Sequence, residues 1–243
     1  MTVSLNLPVP ARALSVGAHA DDIEFGAGAT LAKWAAAGCV LLHVVCTDGA
    51  KGTWDPGADL AALVVTRQDE QRAASRALGG TGDVEFLGWP DGELDDGYLP
   101  RRQLVAVIRR FRPDVVLGHD PWKRYRLHPD HRHAGFLTVD AVVGARDPHF
   151  FPELELEHHR PSALLLFEAD EPDHVEAAGG FADRKIEALL AHRSQLWSTM
   201  GIEDSGRPEQ VDAFRRRVLD KLTEHGALAG VAEGEAFRLI RDL

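Results

Sequence analysis

Cysteine is nearly absent from these 243 residues: only Cys39 and Cys46 occur, within one apolar run and without CxxC spacing. That excludes a disulfide framework and a thiolate zinc site, and leaves two buried thiols as the expectation. Positive charge is also scarce. With 27 Lys and Arg against 38 Asp and Glu the net charge is -11, so the Lys/Arg surplus a phosphate-binding surface needs is missing, and a small molecule is a better partner than nucleic acid. No apolar run nears the roughly 20 residues of a spanning helix, and the N-terminus lacks a basic segment, apolar core and small-residue cleavage site. A protein of the cytoplasm, with no membrane insertion, is expected.

What is present is an alternation of short Val/Leu/Ile runs with segments of helical period. This pattern predicts an α/β, Rossmann-like, mostly parallel sheet with helices on both faces, built as a single domain over residues 1–243. Strands are expected at 13–18, 40–46, 84–87, 114–118 and 163–167, several apolar at consecutive positions as a sheet covered on both faces requires. Helices are expected at 27–37, 67–78, 101–111, 181–196 and 211–225, the first two closed by glycines and the third by Pro113.

In open α/β sheets ligands bind beyond the carboxyl ends of the strands. The residues after the expected strands are His19-Ala20-Asp21-Asp22, Thr47-Asp48-Gly49, Trp89-Pro90-Asp91-Gly92, and His119-Asp120 followed by His128-Pro129-Asp130-His131. Adjacent carboxylates at a strand-to-helix turn repel; they suit either a helix cap with solvated neighbours or a shared cation. Pro129 fits the first position of a helix, which sets His128 and His131 three apart on one face, as capping residues or as ligands. Joined to His19 and Asp22 they make an N/N/O set that suits zinc, with three protein ligands leaving a position for water. Gly26, Gly28 and Asp48 partly mimic a dinucleotide fingerprint, but the acidic turn would repel a pyrophosphate. His43 is expected in the core and His158-His159 in solvent. Trp34 and Trp197 are expected to pack among helices, and Trp54, Trp89 and Trp122 either to pack or to wall a ligand site.

Taken together these residues resemble the PIG-L or LmbE-like zinc carbohydrate de-N-acetylases over nearly the whole chain. The segment Ala18-His19-Ala20-Asp21-Asp22 resembles the family's AHPDD motif, His128 to His131 is its HPDH motif intact, and residues 47–52, 67–70, 90–94 and 191–195 are similar to its further segments. The resemblance implies one Zn2+ per chain held by His19, Asp22 and His131, with Asp21 as general base and His128 as electrostatic partner or proton donor. It implies sugar contacts from Arg67 and Asp91, for which a surface ion pair and a turn residue are the plainer readings. It also implies an N-acyl amino sugar as substrate and a trimer or hexamer as assembly. Two departures stand out: Ala20 replaces the family's proline, and Arg126, beside Tyr125, occupies the place of a tyrosine that polarises the carbonyl in some relatives. A nucleotide-dependent enzyme and a non-catalytic metal-binding module are the rival readings.

Overall fold

The computed structural model describes residues 3–243. Among them the chain forms β1 (Ser4–Leu5), β2 (Arg12–Gly17), α1 (Asp22–Ala36), β3 (Val40–Thr47), α2 (Leu60–Ala77), β4 (Val84–Trp89), α3 (Tyr98–Phe111), β5 (Val115–His119), α4 (Pro129–Arg146), β6 (Ala163–Phe167), β7 (His174–Ala177), α5 (Ala182–Leu190), α6 (Pro208–Ala227) and β8 (Gly234–Arg241). One eight-stranded sheet runs in the order β1-β7-β8-β6-β5-β2-β3-β4. The five central strands, β6 to β4, are mutually parallel, and β8 is antiparallel to both β6 and β7.

The alternation of side chains along β2 and β5 explains the layering. Leu14, Val16 and Val116 face α3 and α4 together with Leu104, Ile108, Leu137 and Ala141. Ala13, Val115 and Leu117 face the opposite layer, with Ile23, Leu31 and Trp34 of α1 and Leu78 beside α2. Both sheet faces are thus covered, as the near-continuous apolar strands foretell. Ile186 and Leu189 of α5 pack on Phe214, Val218 and Leu222 of α6 as an outer layer.

The five expected strands form within a residue or two of their expected ends. The helices differ more. α1 begins at Asp22 and kinks at Ala27 (φ -146°, ψ 15°), so the expected helix from residue 27 is the part beyond the kink. The amide donors of Ala29 and Thr30 are met by the Glu235 carboxylate at 3.1 and 2.7 Å, which caps the second part from β8. Gly26 is needed at this bend for packing, since a Cβ there would lie 2.5 Å from the Phe167 ring; that use of the glycine removes the support for a dinucleotide fingerprint. α2 starts seven residues earlier than expected, capped by Asp59. α5 stops at Leu190, followed by a tight turn at Arg193–Gln195, rather than continuing to residue 196. β1, β7 and β8 were not expected. Both cysteines are buried and free, and His43 is a core residue bonded to the Ser15 hydroxyl at 2.5 Å. His158 is exposed, whereas the His159 ring lies 2.7 Å from the Pro113 carbonyl. Trp34 is fully buried; Trp197, expected to pack, is 54% exposed.

A cluster of histidines and carboxylates at the strand ends

The chain runs β2, β3, β4 to one side and then crosses to β5 and β6 on the other, so β2 and β5 flank the point where strand order reverses. The carboxyl ends of these two strands frame the crevice in which such folds bind ligands. His19 leaves β2 and His119 ends β5. α4 begins at Pro129 with His128 just before it, and brings His131 into the same space.

Three side chains meet there. His19 Nδ1 lies 3.2 Å from His131 Nε2 and 3.5 Å from Asp22 Oδ2, and His131 Nε2 lies 3.3 Å from Asp22 Oδ1. Ligands at zinc-like bond lengths in a tetrahedron sit roughly 3.3–3.6 Å from one another. Each of these contacts falls at such a separation, with Asp22 meeting His19 through Oδ2 and His131 through Oδ1, and the donor chemistry of two imidazoles and one carboxylate fits zinc. Neighbouring groups of potential donors extend the cluster: His19 with His128 and His131, His19 with Asp91, His128 and Asp130, and Asp22 with His119 and His131.

The surrounding groups orient these donors. His19 Nε2, the ring nitrogen away from the cluster, faces Asp130 Oδ2 at 3.1 Å and Asp91 Oδ1 at 3.2 Å. Asp130 is fully buried and also accepts from the Gly92 and Leu94 amides. His119 Nε2 lies 3.2 Å from Asp22 Oδ2, and its ring stacks on His131 at 4.5 Å. Behind them, Arg126 Nη1 is 2.7 Å from Glu168 Oε2 and 3.2 Å from Nδ1 of both His119 and His131. Arg126 thus backs the cluster, while Tyr125 is 88% exposed. His119 and Asp130 stand among the strand-end residues of the sequence but carry no assigned role there, and Glu168 has no sequence signal; for Asp130 the HPDH motif, in which it lies between the two histidines along the chain, is the available signal.

Charge in the cluster is sorted by burial and by partners. Burial opposes ionised Asp22, but His131 and His119, with hydrogen bonds from His119 and His19, outweigh it and hold Asp22 well below the usual carboxylate range. Burial likewise opposes charged His19, yet Asp130, Asp22 and Asp91 carry it well above an ordinary imidazole. In His131 burial wins over Asp22 and pushes the ring down to about 4, so it is neutral and ready to ligate at neutral pH. His128 is also pushed down, by burial and by His19.

Asp21 differs from its neighbour Asp22. It caps α1 from a left-handed backbone conformation (φ 103°), and its carboxylate accepts no hydrogen bond among the described residues. Burial lifts it to about 6 against the pull of Arg67, whose Nη2 stands 4.0 Å away. Arg67 is placed mid-way along α2, not at its start. It is buried, donating from Nη1 to the Gly49 carbonyl at 2.9 Å and from Nη2 to the Ala20 carbonyl at 2.7 Å, while its Nε finds no partner among the described residues. This packing dictates Gly52, where a Cβ would come within 2.1 Å of Arg67 Nη1. Asp91 accepts from the Lys51 amide at 2.9 Å, and Lys51 Nζ donates to the Asp91 carbonyl.

A cavity of about 450 Å³ opens over this floor. His19, Asp21, Asp22, His128 and His131 form its base, Arg67 and Asp91 its sides, and Lys51 to Trp54 with Gln195, Ser198 and Thr199 its outer wall. All seven residues expected at the site line it. Of the tryptophans only Trp54 does so among the described residues; Trp89 donates to Gln103, and Trp122 packs edge-on against Phe136.

The profile of the PIG-L: GlcNAc-PI de-N-acetylase family matches residues 14–142. The chain is 33% identical over 188 residues to the diacetylchitobiose deacetylase of Thermococcus kodakarensis, covering 76% of this chain and 70% of that one. It is 38% identical over 169 residues to the 1D-myo-inositol 2-acetamido-2-deoxy-alpha-D-glucopyranoside deacetylase of Streptomyces avermitilis, covering 59% of this chain and 56% of that one. Among solved structures, N,N'-diacetylchitobiose deacetylase from Pyrococcus horikoshii superposes with a TM-score of 0.84 at 28% identity, over 96% of this chain and 84% of that chain.

Proposed function

The chain belongs to the PIG-L: GlcNAc-PI de-N-acetylase family, and on that premise we propose that it is a zinc-dependent hydrolase removing an N-acetyl or other N-acyl group from an amino sugar or a GlcNAc-containing glycoside. The observation that carries the reading is the meeting of His19 Nδ1, His131 Nε2 and the Asp22 carboxylate, whose two oxygens each face one imidazole, at 3.2 to 3.5 Å, beside a buried carboxylate, Asp21, that is left free of it. One zinc ion held there would make water nucleophilic near neutral pH and polarise the amide carbonyl.

The chain's own residues do the rest. Asp21, with its basicity raised by burial, takes the proton of the attacking water as the new C–O bond forms. His128, neutral at rest, offers one ring N–H to the oxyanion that develops on the carbonyl oxygen. The proton on Asp21 then passes to the departing nitrogen as the C–N bond breaks, leaving the free amine and a carboxylic acid, which gives up its remaining proton to water or to the amine. Asp91 and Arg67, on the cavity sides, face the sugar hydroxyls. The oligomer and the cytoplasmic location expected from sequence stay part of this reading, to be tested by light scattering and by imaging the tagged protein.

The deciding experiment pairs metal analysis with acetate release from N-acetylglucosamine, diacetylchitobiose and the GlcNAc-inositol glycoside. Zinc-dependent release from at least one is expected; bound metal without release from any would favour a non-catalytic metal-binding module.

A further inference from the structure

Asp21 holds a backbone conformation that non-glycine residues adopt only when their surroundings enforce it. The enforcing contact is visible. The Asp21 amide donates to Gln71 Oε1 at 3.1 Å. Gln71 Nε2 in turn donates to Glu24 Oε1 at 2.7 Å, and Glu24 Oε2 lies 3.3 Å from His192 Nε2. Gln71, Glu24 and His192 have no exposed surface. The links come from α2, from α1 and from the turn after α5, at sequence separations of 50, 47 and 168.

We propose that Gln71, Glu24 and His192 form a positioning relay that locks the Asp21 backbone so that its carboxylate faces the cavity. This rests on Asp21 being the base in the reading above. His192 lies outside the family-matched segment, which ends at residue 142. It is nevertheless the anchor of the relay, because Glu24 is otherwise a buried carboxylate needing a cation. A second tie fixes the same turn to α2, where Glu70 accepts from the Ser194 amide and hydroxyl at 2.8 and 2.6 Å. A neutral amide such as Gln71 fits the middle of the chain, since it accepts from the Asp21 amide with one end and donates to Glu24 with the other.

Gln71→Met keeps length and neutrality and leaves the Glu24–His192 contact in place, but deletes both links that Gln71 makes, the one to the Asp21 amide and the one to Glu24. Hydrogen exchange by NMR should show the Asp21 amide exchanging tenfold or more faster in this variant, with β2 amides unchanged. In turnover, a base displaced by about 1 Å can cost on the order of 10²-fold, so kcat should fall tenfold or more with KM within twofold and zinc fully retained. His192→Ala should lose kcat similarly, and His192→Gln, whose amide can still donate to Glu24, should recover most of it. An unchanged Asp21 exchange rate overturns the relay, as does an unchanged kcat in an active enzyme, or equal losses in His192→Ala and His192→Gln that track Tm alone. Wild-type protein that releases no acetate overturns the functional reading instead, and the exchange measurement then decides the relay by itself.

Discussion

Asp130 Oδ2 sits 3.1 Å from His19 Nε2, on the opposite side of the imidazole from the nitrogen that faces Asp22 and His131. A carboxylate in that position fixes the tautomer: the proton stays on Nε2, and Nδ1 presents its lone pair to the metal position. Asp130→Asn should therefore weaken zinc binding by about 10–100-fold without abolishing it. Competition with a chromophoric chelator measures this, and an unchanged affinity would show that Asp130 serves only the amides of Gly92 and Leu94.

The three donors themselves should behave differently. Removing His131 or Asp22 as alanine takes away one of only three protein ligands, so the expected outcome is loss of bound zinc on desalting rather than a graded weakening. Elemental analysis of His131→Ala with zinc equal to wild type would remove that residue from the site.

Much of this was legible before the structure because strand ends and ligand-bearing loops coincide. The apolar runs beginning at Ala13, Val40 and Val115 are long enough to read as strands, and the residues just after them carry the chemistry. β1 and β7 were not legible: they hold two and four residues and exist by pairing with distant partners, as Ser4 does with His174. The kink in α1 depends on Glu235, more than 200 positions away, and no local signal announces it. In the site, His19, Asp21, Asp22, His128 and His131 fall in two short motifs. Gln71 lay in a helix with no role read for it, and His192 in a family-like segment without an assigned role, since what they do is set by contacts across 50 and 168 residues.

Asp21→Asn should keep zinc and lose turnover on the order of 10²–10⁴-fold, since it deletes a proton acceptor and preserves shape. The same change should stabilise the chelated protein. Folding raises Asp21 from 3.8 to about 6, so the folded state binds this proton more tightly than the unfolded chain. The stability so gained is complete below about pH 4 and is lost as pH rises through about 6. Above that, the buried charge costs on the order of 3 kcal/mol, which the asparagine avoids. Thermal denaturation in chelator should show Tm higher by roughly 6–12 °C for Asp21→Asn near pH 7.5, with little difference near pH 3.5. A Tm difference that does not change with pH would contradict the raised carboxyl.

Substrate selection is expected to lie with Arg67 and Asp91, and their surroundings make the test specific. Arg67 spends both Nη groups on the Gly49 and Ala20 carbonyls, leaving Nε unpartnered among the described residues. Asp91 directs Oδ1 to His19 and Oδ2 to the Lys51 amide. Each therefore holds a wall of the cavity as well as facing it, and loss of either could act through the sugar or through the floor. A site that hydrogen-bonds hydroxyls discriminates strongly, because its own polar groups go unpaired when the hydroxyl is missing. If the two residues serve the sugar, Arg67→Ala and Asp91→Ala retain zinc and lose about 10-fold or more in kcat/KM on N-acetylglucosamine-type substrates, as one or two lost polar contacts of 1–2 kcal/mol imply. An activated acetyl ester or amide without a sugar then loses far less. Equal losses on both substrates would instead assign Asp91 to holding His19 and Arg67 to the two loops around Asp21, and the sugar contacts would have to come from the outer wall between Lys51 and Trp54.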